Sequence, residues 1–163
     1  MVQRVPAASG WHGAFLGVDV VSVADVAQAC DRFGEHYLRR VFTPAEVAYC
    51  TAEGRAPAPH LAARFAAKEA TFKALRGSAE DPLDWRSIEV LRRADGSCAL
   101  RLHGEMSRLA DRRGVAHLDV SLSHDGAYAI AVVLGARPIA LSPSGVSFGI
   151  LRRYNRPRKM QRP

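Results

Sequence analysis

Ala14-Phe15-Leu16-Gly17-Val18-Asp19-Val20-Val21 is a short apolar run, rich in β-branched residues and interrupted by one acid, and it predicts a buried strand. It passes directly into Ser22-Val23-Ala24-Asp25, a capping-box pattern that predicts a helix to about Phe33. Thr43-Pro44-Ala45-Glu46 repeats the pattern with proline at the first helical position. After a loop over Gly54 to Pro59, the stretch from His60 to Arg76, full of Ala, Leu, Phe and Lys/Glu, predicts a long helix stopped by Gly77. Ser87 to Arg93 and Ser97 to His103 flank Asp95-Gly96 and read as a hairpin. Glu105 to Arg113 predicts a short helix capped by Gly114. His117 to His124 and Tyr128 to Leu134, on either side of Asp125-Gly126, predict a second strand pair. Strand, helices, hairpin, helix, hairpin is the order of an α+β domain with a largely antiparallel sheet, not of a doubly wound parallel one.

The 163 residues, 48% apolar and 24% charged, exclude global disorder and suit one or at most two small domains. No apolar run approaches the length of a bilayer span, and Met1 to Phe15 lacks the apolar core of a signal peptide, so the expectation is a cytoplasmic, soluble protein with no membrane partner. Cys30, Cys50 and Cys98 are odd in number and form no Cys-x-x-Cys pair, which indicates neither a disulfide framework nor a zinc site. The formal charge of +7 is unevenly placed. Residues 1–135 carry 16 basic and 16 acidic groups, whereas residues 136–163 carry seven basic groups and no acid. The chain therefore divides into an N-terminal arm over 1–13, a formally neutral domain over 14–135 and a basic C-terminal extension over 136–163. Arg152-Arg153-Tyr154-Asn155-Arg156-Pro157-Arg158-Lys159 motivates a nucleic-acid-binding module as a rival reading. A neutral body offers such a module no second electropositive surface, so a solvated tail, or one that steers an acidic protein toward the domain, is preferred.

The chemistry-bearing residues are few. Of the 23 basic residues only Lys68, Lys73 and Lys159 are lysine, and the first two sit on the long helix. At helical spacing Leu61, Phe65 and Phe72 form a narrow apolar stripe, with Glu69, Lys73 and Arg76 along its border. Glu69 and Lys73 at i,i+4 suit a simple surface pair worth roughly 0.2 to 0.5 kcal/mol. Asp19, between two valines, is either exposed at a strand end or needs a partner or a metal to offset its desolvation. Two carboxylates from separate elements with lysines nearby suit Mg²⁺, which binds one or two protein carboxylates together with waters and substrate phosphates. No Walker-type loop and no Gly-x-Gly-x-x-Gly follows a strand, which argues against an ordinary NTPase or dinucleotide enzyme. Ser121-Leu122-Ser123-His124 ends a strand where side chains reach a cleft, but adjacency does not make a catalytic triad.

Gly17-Val18-Asp19-Val20-Val21, Arg64-Phe65-Ala66-Ala67-Lys68-Glu69-Ala70-Thr71-Phe72-Lys73-Ala74 and Ser121-Leu122-Ser123-His124 with Tyr128-Ala129, in that order, resemble the holo-acyl-carrier-protein synthase class of the 4'-phosphopantetheinyl transferase superfamily. The resemblance spans about Phe15 to Leu134. It implies a 4'-phosphopantetheinyl transferase-like fold and transfer of phosphopantetheine from coenzyme A to a carrier-protein serine, with Mg²⁺ required and adenosine 3',5'-bisphosphate released. It implies Asp19 and Glu69 as metal ligands and Glu69 and Lys73 as catalytic residues, the proton acceptor being Glu69 or a metal-bound water. Arg64, Lys68, Lys73 and His124 are implied to grip the nucleotide's phosphates, in a homotrimer with active sites at subunit interfaces. The implied partner is an acidic acyl carrier protein of fatty-acid synthesis, or alternatively a polyketide or nonribosomal peptide carrier. Two departures bear on that partner: Asp25 stands where many relatives have Arg, and Gly77-Ser78-Ala79-Glu80-Asp81-Pro82 is more acidic than the usual glycine-rich segment.

Overall fold

A computed structural model describes residues 14–138. The expected arm over 1–13, and all but the first three residues of the basic extension over 136–163, lie outside the described residues. The fold is α+β, with four helices and two antiparallel sheets. Strand β1 (Ala14–Ser22) is followed by helices α1 (Val23–Val41), α2 (Pro44–Cys50) and α3 (Pro57–Ala74). Hairpin β2 (Ile88–Arg92) and β3 (Cys98–Leu102), helix α4 (Gly104–Arg113) and hairpin β4 (His117–Asp125) and β5 (Tyr128–Ala136) complete it.

β5 is the centre of a three-stranded sheet, pairing antiparallel with β1 (Asp19 opposite Ala131) and with β4 (His124 opposite Ala129). The period of two along β1 turns Phe15, Gly17, Asp19 and Val21 inward and Leu16, Val18 and Val20 outward. α3 lies across the inner face of this sheet. Its contact surface is made of small residues, with Ala62, Ala63, Ala66, Ala67, Ala70 and Ala74 facing Ala129, Ala131 and Val133. Gly17 sets the approach. A Cβ there would sit 1.8 Å from the Ala70 carbonyl oxygen, so only glycine lets β1 and α3 lie this close.

The predicted stripe of α3 is therefore corrected. Leu61 is buried, but Phe65 and Phe72 are only partly covered, packing on Trp85, and the deepest positions are alanines together with Arg64, Lys68 and Thr71. The boundaries of α1 and α3 differ as well. α1 does not stop near Phe33: Gly34 adopts φ 53°, ψ −135°, and the chain resumes helix beyond it to Val41. α3 begins at Pro57, not His60, because prolines lose nothing in a first turn whose amides have no helical partner. It ends at Ala74, not Arg76, since Arg76 takes a left-handed φ of 53°. A second core of Phe15, Leu75, Ile88, Met106, Leu109 and Ala110 joins α4 to the β2–β3 hairpin.

Candidate active site

Asp19 is 7% exposed. Its Oδ1 accepts a hydrogen bond from Lys73 Nζ at 2.5 Å, and its Oδ2, also buried, has no hydrogen-bond partner among the described residues. Glu69, one helical turn before Lys73, brings its carboxyl beside Asp19. Burial and then the Asp19 carboxylate push the Glu69 carboxyl up to about 7, with Lys73 opposing. Lys73 is held above the ordinary lysine value, chiefly by its bond to Asp19. The structure thus brings together three of the candidates and resolves the fate of the acid in β1: it faces inward and is paired. It also differs from the i,i+4 expectation, since the strong partner of Lys73 is Asp19 on another element.

Two neighbouring carboxylates and one buried acceptor oxygen without a donor form an oxygen-only, electron-rich site. Among the described residues no group of three or more His, Cys, Asp and Glu side chains gathers. That donor set fits Mg²⁺, which completes its octahedron with water and substrate oxygens, and not a transition metal seeking several nitrogen or sulfur ligands.

Arg64 and His124 meet in a different place. They line a cavity of about 240 Å³ with His60, Tyr49, Arg92 and Ser123. Arg64 is 3% exposed, stacks on the Tyr49 ring at 4.1 Å, and has a buried Nε without a partner among the described residues. Its Nη1 donates to the His60 carbonyl at 3.3 Å. A buried guanidinium with spare donors is a ready anion holder.

Lys68 does not join either group. Its ammonium is wholly buried, donating to Glu46 Oε2 at 2.9 Å, to the Trp85 carbonyl at 3.0 Å and to the Ile88 carbonyl. Burial lowers its affinity for a proton while Glu46 raises it. All three donors are used inside the core, so the structure does not bring Lys68 together with the other residues expected at the nucleotide's phosphates. Glu46 is the residue that sequence reasoning missed. Its Oε1 accepts from the Val90 amide at 2.9 Å, while its Oε2 accepts from Lys68 and, at 2.8 Å, from the Thr43 amide. The signal was present in the capping box Thr43-Pro44-Ala45-Glu46, whose two reciprocal bonds form as expected.

The sequence profile of the 4'-phosphopantetheinyl transferase superfamily matches residues 15–133. The chain belongs to that superfamily. Among curated relatives, the holo-[acyl-carrier-protein] synthase of Moorella thermoacetica is 46% identical over 118 residues, 72% of this chain and 90% of the relative. Among solved structures of the superfamily, the ACPS–CoA complex of Chronobacterium ammoniagenes superposes with a TM-score of 0.66 at 35% identity, covering 77% of this chain and 98% of that one. Holo-[acyl-carrier-protein] synthase of Helicobacter pylori in complex with coenzyme A gives a TM-score of 0.64 at 30% identity, covering 74% and 99%. The superfamily match begins at β1 and ends within β5, so it takes in every candidate residue described above.

Proposed function

We propose that the chain is a holo-[acyl-carrier-protein] synthase, which moves the 4'-phosphopantetheine group from coenzyme A to a serine hydroxyl of an apo-acyl carrier protein. The observation that carries the reading is the buried, donor-free Oδ2 of Asp19 beside the Glu69 carboxyl. That oxygen pays a desolvation cost unless a cation or proton meets it. Asp19 and Glu69 would hold Mg²⁺, which when bound neutralises pyrophosphate oxygens of the substrate.

In this reaction the serine oxygen forms a bond to the β-phosphorus as the bond to the nucleotide breaks, and adenosine 3',5'-bisphosphate leaves. The serine proton would pass to Glu69 or to a water held beside it. Lys73, more than half exposed and fixed by Asp19, presents its charge where the departing phosphate gathers negative charge. Arg64 and His124 would hold a phosphate at the nucleotide end. Arg64 stands five residues before Glu69 on α3, a rise of about 7.5 Å along the helix axis, a span that one extended nucleotide can cover.

The active enzyme is proposed to be a homotrimer with its sites at subunit contacts. Supporting this, the outer face of β1 and β5 is apolar and left open by the described residues: Leu16 is 65% exposed, Val20 56% and Tyr128 61%, and Val18, Ile130, Val132 and Leu134 join them. Cross-strand pairs Leu16–Leu134, Val18–Val132 and Val20–Ile130 make this one continuous patch, of the kind that a soluble monomer rarely leaves in water. No helix among the described residues is long and apolar enough to cross a membrane, and we place the reaction in the cytoplasm.

Mass spectrometry of apo-acyl carrier protein incubated with this chain, coenzyme A and Mg²⁺ tests the reading. A phosphopantetheine adduct on the carrier serine that disappears with a chelator is expected. An unmodified carrier, with fatty-acid and polyketide carriers both tried, would reject it.

A further inference from the structure

His60 opens the second full turn of α3, one turn before Arg64, and the phosphate reading above gives it no part. Its ring meets that of His124 edge to face, with centroids 5.0 Å apart and planes at 87°. On its other side the Tyr49 ring stands edge-on at 6.0 Å. Tyr49 is itself sandwiched by guanidinium groups, with Arg55 and Arg64 each 4.1 Å from its centroid. Arg92, at the end of β2, closes the cavity.

Among the described residues, the groups that oppose a proton on His60 are basic. They come from Arg64 on α3 itself, Arg55 in the loop before it, Arg92 on β2 and the imidazole of His124 on β4. The other titratable groups lining the cavity are Tyr49 on α2 and Cys98 on β3, and no carboxylate is among the described residues that line it. Burial first, then these neighbours, hold the His60 imidazole below its ordinary value. An empty cavity thus favours neutral His60, while the unpartnered Nε of buried Arg64 leaves an anion-shaped deficit.

A phosphate monoester reverses that field. It brings close to two negative charges and three acceptor oxygens into a space lined by cations, so an imidazolium that was opposed becomes a donor with an acceptor. We propose that His60 is a specificity-determining residue: neutral in the empty cavity, it takes up a proton when a phosphate monoester seats beside Arg64 and His124, and so makes recognition of that phosphate pH-dependent. This rests on the transferase reading and deepens it. Coenzyme A carries one phosphate monoester in addition to its pyrophosphate, and dephospho-coenzyme A carries the pyrophosphate alone. Discrimination between them resides in this cavity and follows the charge of His60. The sign is fixed by linkage: a proton gained on binding means that affinity is strongest below the free imidazole's titration and weakens as pH rises through the bound imidazole's.

Calorimetric titration of the full chain with Mg²⁺ at about pH 7, in two buffers of different ionisation enthalpy, counts the protons directly. Proton uptake with coenzyme A, less that with dephospho-coenzyme A, is expected to be larger in the native chain than in His60→Phe, which keeps an aromatic ring. His60→Gln is a second variant that needs no apolar packing. In steady state, the preference for coenzyme A over dephospho-coenzyme A, read as the ratio of their KM values, should fall by up to about tenfold per pH unit between the free and the bound imidazole's titrations in the native chain. It should be much flatter in both variants, with the change carried by KM for coenzyme A. The phosphate's own ionisation is common to all three proteins and cancels in the comparison. An uptake difference between the two ligands that is the same in the native chain and in both variants, or an unchanged pH profile in both variants, overturns the proposal. The calorimetry needs the two ligands and no carrier, so it decides the role of His60 even if no carrier protein is modified, which is the outcome that would sink the transferase reading instead.

Discussion

Lys73 Nζ lies 2.5 Å from Asp19 Oδ1, joining the last turn of α3 to the middle of β1 across 54 positions of sequence. The pair is one-sided. Asp19 is buried, whereas the Lys73 side chain is 56% exposed, so the bond fixes the direction of the lysine without removing it from solvent. Such a half-exposed pair adds little to folding. Lys73→Ala is therefore expected to lower transfer strongly while shifting the thermal midpoint little, as measured by carrier modification and by calorimetric melting.

Asp19→Ala and Glu69→Ala should each reduce Mg²⁺-dependent transfer by more than about a hundredfold, the scale of several kcal/mol of charge stabilisation. Both variants should keep the native far-ultraviolet circular dichroism, because neither carboxylate anchors a core hydrogen-bond network. Near-native turnover by either protein would remove it from the metal site.

The Glu69 carboxyl, raised from 4.5 to about 7, makes stability depend on pH in the metal-free chain. A folded-state value above the unfolded one contributes stability that is complete below about pH 4.5 and is lost as pH rises through about 7. Melting temperature should accordingly decline across that window in chelator, and less so in Glu69→Gln. Added Mg²⁺ should restore it on the alkaline side and do little on the acid side, where a proton already occupies the pair.

Lys68 and Glu46 predict the opposite pattern from Lys73. Removing one member of a buried pair leaves the other charge uncompensated, a loss of about 3 to 5 kcal/mol. Lys68→Ala should lower the denaturant midpoint accordingly, and Glu46→Ala should do so too, because it strands the Val90 and Thr43 amides as well. Activity per folded molecule, measured well below the melting transition, should stay close to native for Lys68→Ala.

A charge on the outer sheet face tests assembly. Val18→Glu, placed opposite Val132 in the exposed patch, should shift sedimentation from an oligomer to a monomer. A native chain that already sediments as a monomer at assay concentration would contradict the trimer.

Much of this architecture is legible in local sequence because its signals are local. The Thr43 capping box, the Asp95-Gly96 and Asp125-Gly126 turns and the left-handed Gly114 cap each act within four or five residues and form where expected. Asp19 stands out for a local reason too, as an acid among valines. The bond from Lys68 to Glu46 depends on helix packing across 22 positions, which no spacing rule encodes. Gly34 misleads in another way. A glycine at positive φ commonly ends a helix, yet here the chain resumes its helical path immediately and Tyr37 packs against Phe42. The alanine-lined face of α3 escaped the stripe analysis because closeness to Gly17, not side-chain bulk, is what buries it.

β1 turns Asp19 toward the chemistry and its two neighbours, Val18 and Val20, toward the opposite surface. Only one peptide unit separates the two faces. Whatever packs on Val18 and Val20, a neighbouring subunit first of all, presses on the backbone that aims the Asp19 carboxylate, so a molecule that displaces that subunit would disturb the site without resembling either substrate.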